Sequence, residues 1–396
     1  MTDLDFSLID ADQHYYEPDD CFTRHLESRF LPGAVEVRHD RPDGLGRVYL
    51  AGSRLGYFSV TPGDETGPPG LLRSYFRSEG RSVVLTEQSV HGTSTPEFTQ
   101  RDVRLRVLDE QGVQATVMLP SLGLGIEHEA RHDPQTWYAL MRSFNRWVEE
   151  DWGYGQDGRI FGLPMQSLID VDLAIVELER LIEAGAKGIL MRPGPIYGRS
   201  PADPAFDPFW ARVQEANLVV AYHLSSFGYT ELFSSQWGHQ ANAATHRHSA
   251  FQQLTCQGDR AMADTVGALV LDNLFTRFPQ LRILIVELGA SWLPPLLKKM
   301  DRIWRTATMQ WPHGRPSEAP SEIARRHFWV APYHEENFGK IMAAMGDGHV
   351  LLGSDWPHPE GLALPAELAD ELRALDATQL RAVMRDNTAS LLGLAG

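Results

Sequence analysis

Cysteine is scarce in this chain: two residues, Cys21 and Cys256, in 396. That excludes a disulfide scaffold and a zinc site built from cysteine pairs. Both thiols are expected to be free, in a reducing compartment. Positive charge is also short, with 36 Lys and Arg against 52 Asp and Glu and a formal net charge of −16. A partner that is nucleic acid or an anionic membrane wants a basic face, so neither is expected. No stretch reaches the roughly 18 apolar residues of a membrane span. The opening MTDLDFSLIDADQH has no basic segment followed by an apolar run. No signal peptide is therefore visible, and a cytoplasmic location is expected. No phosphate-cradling or nicotinamide-type glycine motif is present, so no organic cofactor is implied.

What is present is a core. Hydrophobic residues make up 43% of the chain. Short apolar runs recur at residues 6–12, 115–120, 160–164, 188–192, 218–223, 283–287, 327–332 and 350–355, eight in all. Nearly continuous apolar runs suit strands covered on both faces, as in a parallel sheet. Helix-like stretches separate them. Trp137, Leu140, Met141, Phe144 and Trp147 fall on one helical face, as do Leu173, Ile175, Leu178, Leu181 and Ile182. Residues 293–304 and 366–375 read as further helices. This alternation predicts an α/β fold, a (β/α)8 TIM barrel, as one domain over residues 1–396. A doubly wound sheet would want glycines after its first strand, where this chain has Asp12-Gln13-His14.

Two segments break the rhythm. Residues 19–105 contain a Gly/Pro-rich stretch at 61–70 and hairpin-like strands at 48–50 and 57–60. They are expected to form an insertion after strand one that caps the barrel mouth. The second excursion is residues 224–261.

Catalytic groups of a barrel lie at the C-terminal ends of its strands. Those ends carry Asp12, His14, Arg192, His223, Glu287, His334, Asp355 and His358. Such groups are rarely buried without partners, so eight of them at six strand ends point to a site. Asp12 and His14 are two apart and project to the same side of a strand. With His223 and Asp355 they give two carboxylates and two imidazoles, a donor set for a divalent transition metal. Singly, each has an ordinary structural reading: a polar strand end, a core histidine, a helix cap. Together at the ends of runs one, five and eight they predict a metal centre. His239, His246 and His248 are not expected to make a second one, because alternate histidines on a helix point apart.

The segment IDADQHYYEP (residues 9–18) resembles the opening motif of the amidohydrolase-related family, which also contains the aromatic-acid decarboxylases. RFPQLRILIVELGASWLPPLLKKMDRIW (277–304), ENFGKIMAAMGDGHVLLGSDWPHPEG (336–361) and RDNTASLLGL (385–394) resemble its sixth strand, eighth-strand approach and last helix. The resemblance covers strand one and most of residues 110–394. It implies a mononuclear site on Asp12, His14, His223 and Asp355, with zinc first and manganese second. It also implies a homo-oligomer, a dimer or tetramer. Two departures stand out: D-x-H replaces the usual H-x-H or E-x-H, and Glu287 stands where the decarboxylases often carry a histidine.

These observations predict hydrolysis of a small, carboxylated cyclic or aromatic substrate through a metal-activated water. Asp355 serves as ligand and base, Glu287 as proton shuttle and His358 as proton donor. Arg192, His334 and Trp356 are the expected substrate contacts, Arg192 as a carboxylate clamp. Tyr15, Tyr16, Phe227 and Trp237 either line an aromatic pocket or pack the insertion. Non-oxidative decarboxylation is the second reading, and a barrel without metal or catalysis the third.

Overall fold

Strand β1 (Leu8–Tyr15) is buried along its whole length. The computed structural model describes residues 4–39, 46–55, 65–73, 90–91, 95–225, 228–241, 243, 247–306 and 308–394. After β1 the insertion supplies β2 (Val35–Arg38), β3 (Arg47–Leu50) and β4 (Ser53–Arg54), which pair antiparallel in sequence order. It also supplies β5 (Glu65–Thr66), antiparallel to β6 (Val90–His91). The strand expected at 48–50 is part of β3. The one expected at 57–60 lies outside the described residues, as do Phe227 and His246.

The remaining strands are β7 (Val113–Pro120), β8 (Ile160–Gly162), β9 (Gly188–Met191), β10 (Val219–Tyr222), β11 (Arg282–Ile285) and β12 (Phe328–Val330). Seven apolar runs thus become strands. They form two parallel sheets, β1-β7-β8 and β12-β11-β10-β9. Nearly every residue in them is buried, which explains the unbroken apolar runs.

Helices cover the sheets. The longest, α1 (Pro134–Asp151), starts at a proline, with the Asp133 carboxylate accepting from the Thr136 N–H. Its face of Trp137, Leu140, Met141, Phe144 and Trp147 is buried. In α2 (Val171–Glu183) Asp170 caps the start, and Leu178 and Leu181 are buried. The helix read at 293–304 is α3 (Leu293–Arg305). Residues 366–375 do not make one helix: a short 3-10 turn, Pro365–Glu367, and a single turn, Leu368–Glu371, stand there.

The ladders do not trace a closed eight-stranded barrel. The eighth run is not a ladder strand, but its backbone is held on both sides. Leu351 N donates to Val330 O, Ala11 N to Leu352 O, Asp355 N to Asp12 O and His14 N to Trp356 O. Single parallel bridges join Val330 with Val350, Gln13 with Trp356 and Met165 with Leu190. Regular pairing fails in run eight because Asp355 has a left-handed backbone (φ 55°) and Pro357 has no N–H to give. Gly353 is needed for the close approach: a Cβ there would lie 2.8 Å from the Ala331 Cβ and 3.1 Å from the Asp12 Cβ.

The described part of the insertion touches the chain just after His358. Leu72 N donates to Pro359 O, and Arg73 pairs with Glu367 and Glu371. Among the described residues no helix is long and apolar enough to cross a membrane. Cys21 and Cys256 are free and buried.

Candidate metal centre

The site is assembled from four strand ends. β1 presents Asp12 and His14, whose side chains meet at 3.2 Å. An irregularity of register between Asp10 and Gln13 sets their aim. β10 is followed at once by His223, whose Nε2 lies 3.2 Å from His14 Nε2. β11 leads to Glu287, 2.7 Å from His223 Nε2 and 3.8 Å from His14. The eighth run brings Asp355 to 3.3 Å from His14 Nε2. Glu287, like Asp355, has a left-handed backbone (φ 51°). Two such non-glycine residues facing one point mark a place where the surroundings impose backbone strain, as functional sites do.

His358 completes the cluster. Its Nδ1 is 2.7 Å from Asp355 Oδ1 and its Nε2 is 3.0 Å from Ser121 Oγ. Its ring stacks on that of His14 with centroids 4.1 Å apart. The donor atoms of His14, Glu287, Asp355 and His358 lie within 4.8 Å of one another, as do those of Asp12, His14 and His223.

The electrostatics ask for a cation. Asp12, Glu287 and Asp355 are all buried, and no Lys or Arg among the described residues forms an ion pair with them. Burial pushes the Asp12 carboxyl well up, and Glu287 and Asp10 push the same way. Burial and Glu287 push Asp355 well up too. The Asp12 Oδ1 atom is buried without a hydrogen-bond donor. A dication among these oxygens would reverse both directions and remove the cost of three crowded carboxylates.

The imidazoles fit as well. Burial, then His358 and His223, hold His14 well below its ordinary value, in the neutral form that ligates. His223 Nδ1 donates to Leu224 O at 2.7 Å, which leaves Nε2 as the ligating atom. His358 differs. Burial alone would lower it, but Asp355 and Tyr16 hold it well above the ordinary imidazole range. With one nitrogen on Asp355 and the other on Ser121, it is built to carry a proton.

The three expected substrate contacts are not in either donor group, and each has other partners. Arg192 is bound on several sides. Its Nε donates to Glu127 Oε1 at 2.7 Å, its terminal nitrogens to Pro193 O and Pro195 O, and its guanidinium covers the Tyr197 ring. In this structure the residue expected as a carboxylate clamp is held in a buried ion pair with Glu127. Trp356 is buried and packs on Arg104 and Phe98. Its indole sits beneath the Arg104 guanidinium at 4.3 Å and edge-on to Phe98. His334 is buried beside Glu335 and belongs to neither donor group. Of the aromatics, Tyr15 packs on Trp147 and Trp152 and Tyr16 on Phe98, while Trp237 is exposed.

Four residues escaped sequence reasoning. Asp10 accepts from Ser354 N and Oγ and from Gln13 Nε2, locking run eight to β1. Buried Arg104 donates to His14 O and Gln13 Oε1, fixing the strand that bears the ligands. Ser121 orients His358. Glu17 accepts from the Leu122 and Gly123 N–H groups, which sets the loop that carries Ser121. Asp10 alone gave a clue, as the first acid of D-A-D-Q-H.

A family model described as amidohydrolase matches residues 9–394. The chain belongs to the amidohydrolase family. The solved amidohydrolase map2389c of Mycobacterium avium subsp. paratuberculosis K-10 is 34% identical to this amidohydrolase. It superposes with a TM-score of 0.89 over 99% of this chain and 100% of its own. The 2-amino-3-carboxymuconate-6-semialdehyde decarboxylase of Dictyostelium discoideum is 22% identical over 235 residues, 59% of this chain. The matched part spans 60% of that relative's length. The 5-carboxyvanillate decarboxylase of Novosphingobium aromaticivorans, solved with bound manganese, is 14% identical. Its TM-score is 0.59 over 98% of each chain, a likeness of fold. The chain is thus an enzyme of the amidohydrolase family, and its buried His/Asp/Glu cluster has donors that could hold a metal ion.

Proposed function

We propose that this amidohydrolase is a metal-dependent carboxy-lyase that releases carbon dioxide from a small aromatic or related acid without redox chemistry. One observation carries the choice over hydrolysis: His358 is clamped between Asp355 and Ser121 and stacked on His14, placed to hand on a proton. Decarboxylation needs a proton for the carbon that loses its carboxylate. The decarboxylases among the relatives support the same reading.

In this reading His14, His223 and Asp355 hold the metal, with Asp12 and Glu287 as further oxygen donors. The donor set is rich in oxygen, and a neighbour of the same fold carries manganese. We therefore rank manganese ahead of zinc, reversing the sequence expectation. Bound there, an ion would supply positive charge that steadies negative charge building on the substrate's oxygens. His358 gives its Nε2 proton to the ring carbon. The bond from that carbon to the carboxylate then breaks, its electron pair stays with the ring, and carbon dioxide leaves. Asp355 stabilises the imidazolium before the transfer, and Ser121 keeps the ring in line. In this reading the two sheets and their seams act as one barrel domain.

Hydrolysis remains as a second reading because of Glu287. A carboxylate 2.7 Å from His223 can shuttle a proton to a leaving group. The deciding experiment offers the metal-loaded enzyme carboxylated phenols and, separately, aryl esters and lactones. Carbon dioxide release that falls about 10²–10⁴-fold in His358→Gln, with metal content retained, supports the carboxy-lyase. Ester or lactone cleavage without carbon dioxide release overturns it in favour of the hydrolase.

A further inference from the structure

Between the loop after β9 and the helix Gly258–Leu271 lies a cavity of about 360 Å³. That is room for a small organic molecule. None of the residues lining it belongs to the metal cluster. The loop contributes Gly194 and Arg199, the helix Asp264 and Thr265, and the excursion after β10 contributes Tyr229. A Cβ at Gly194 would lie 3.3 Å from the Arg192 guanidinium and 3.5 Å from the Tyr229 ring, so a side chain there would crowd the space.

The walls are held in place. Thr265 Oγ1 accepts from the Gly194 N–H at 2.7 Å, which ties the loop to the helix. Ile196 and Arg199 exchange backbone hydrogen bonds of 2.9 and 3.1 Å across Tyr197 and Gly198. Both turn residues are left-handed, at φ 43° and 99°. Glycine takes that conformation freely, but tyrosine does so only where the surroundings impose it. Here the Tyr197 ring is packed on the Arg192 guanidinium at 4.7 Å. The strained turn fixes where the Arg199 side chain leaves the backbone.

Two charged groups at the cavity are open to a ligand. Arg199 is exposed and has no ion pair among the described residues. Asp264 accepts from the Tyr229 hydroxyl and from Arg260 Nε, both on Oδ2, which leaves Oδ1 available. Arg260 offsets the Asp264 charge, so Arg199 supplies one positive charge in excess. A single guanidinium matches one carboxylate, whereas a phosphate dianion would be repelled by Asp264. Asp264 Oδ1 calls for a hydroxyl donor, and Tyr229 offers an aromatic wall. We propose that this cavity is a second binding site, for a hydroxyaryl monocarboxylate. Its carboxylate pairs with Arg199, its hydroxyl donates to Asp264 and its ring packs against Tyr229. The site is the same whether the metal centre decarboxylates or hydrolyses.

The test is equilibrium dialysis of the full metal-loaded enzyme against 4-hydroxybenzoate. Arg199→Ala should weaken binding about tenfold or more, the loss of a charge-assisted pair. Asp264→Ala should weaken 4-hydroxybenzoate more than benzoate, which has no hydroxyl to donate. Both parent side chains are exposed, so neither change threatens the fold. His223→Ala, which removes an imidazole from the metal cluster, should keep the Arg199-dependent binding. Inorganic phosphate should not compete. Binding that is equal in both surface variants, that His223→Ala abolishes or that phosphate displaces overturns the proposal. So does the absence of bound probe at millimolar concentration.

Discussion

The Asp10 carboxylate accepts hydrogen bonds from both the backbone N–H of Ser354, at 3.0 Å, and its hydroxyl, at 2.6 Å. Those residues are 344 positions apart, and their contact brings Asp355 to Asp12. Burial pushes the Asp10 carboxyl up to about 6, so it is held there at a cost its donors partly offset. Asp10→Ala strands those donors in the core and should cost about 2–4 kcal/mol of stability. Thermal denaturation reads the loss. The same variant should bind metal more weakly, although Asp10 is not in either donor group. An unchanged melting temperature would remove Asp10 from the account.

Gly353 offers a sharper version of the same point. Its missing Cβ lets run eight lie against Asp12. Gly353→Ala should push Asp12 and Asp355 apart and reduce metal affinity by about 10–100-fold, the range seen when ligand orientation is lost. Metal titration followed by dialysis measures it.

Arg192 is predicted to matter for folding rather than for substrate. Removing it leaves Glu127 buried without its partner, at a cost of about 3–5 kcal/mol. Replacing both partners with apolar side chains, Arg192→Met together with Glu127→Leu, should recover much of that stability. A rise in KM with an unchanged melting temperature would restore the clamp.

The strands were legible in the sequence because a strand buried on both faces shows an unbroken apolar run. The donor set was legible because charge at such a strand end has few other uses. Side-chain direction was not. Arg192 ends an apolar run as a substrate clamp would, but its partner Glu127 lies 65 residues earlier, and nothing local announces the pair. Trp356 likewise answers to Arg104, a residue whose burial no periodicity reveals. The eighth run read as a strand because its apolar residues are buried, although a left-handed Asp355 and Pro357 prevent regular pairing.

Glu17 sets a pH dependence. Burial raises its carboxyl from 4.5 to about 7, against the pull of the Leu122 and Gly123 N–H groups. A carboxyl whose pKa is higher folded than unfolded stabilises the fold while protonated. That contribution is whole below about 4.5 and is lost as pH rises through about 7. Glu17→Gln keeps an acceptor for the two N–H groups and has no proton to lose. It should match the wild type near pH 4 and exceed it at pH 8 by up to about 3 kcal/mol. Parallel melting curves across that range would refute the assignment.

The metal content of the purified enzyme tests the central claim most directly. Elemental analysis should find about one manganese or zinc per chain, lost in His14→Ala, His223→Ala and Asp355→Asn but kept in His358→Gln and in the double variant Arg192→Met with Glu127→Leu. A native protein that carries no metal and takes none up on addition would contradict the account. It would leave His14, His223, Glu287 and Asp355 as an acid–base cluster without the ion their geometry calls for.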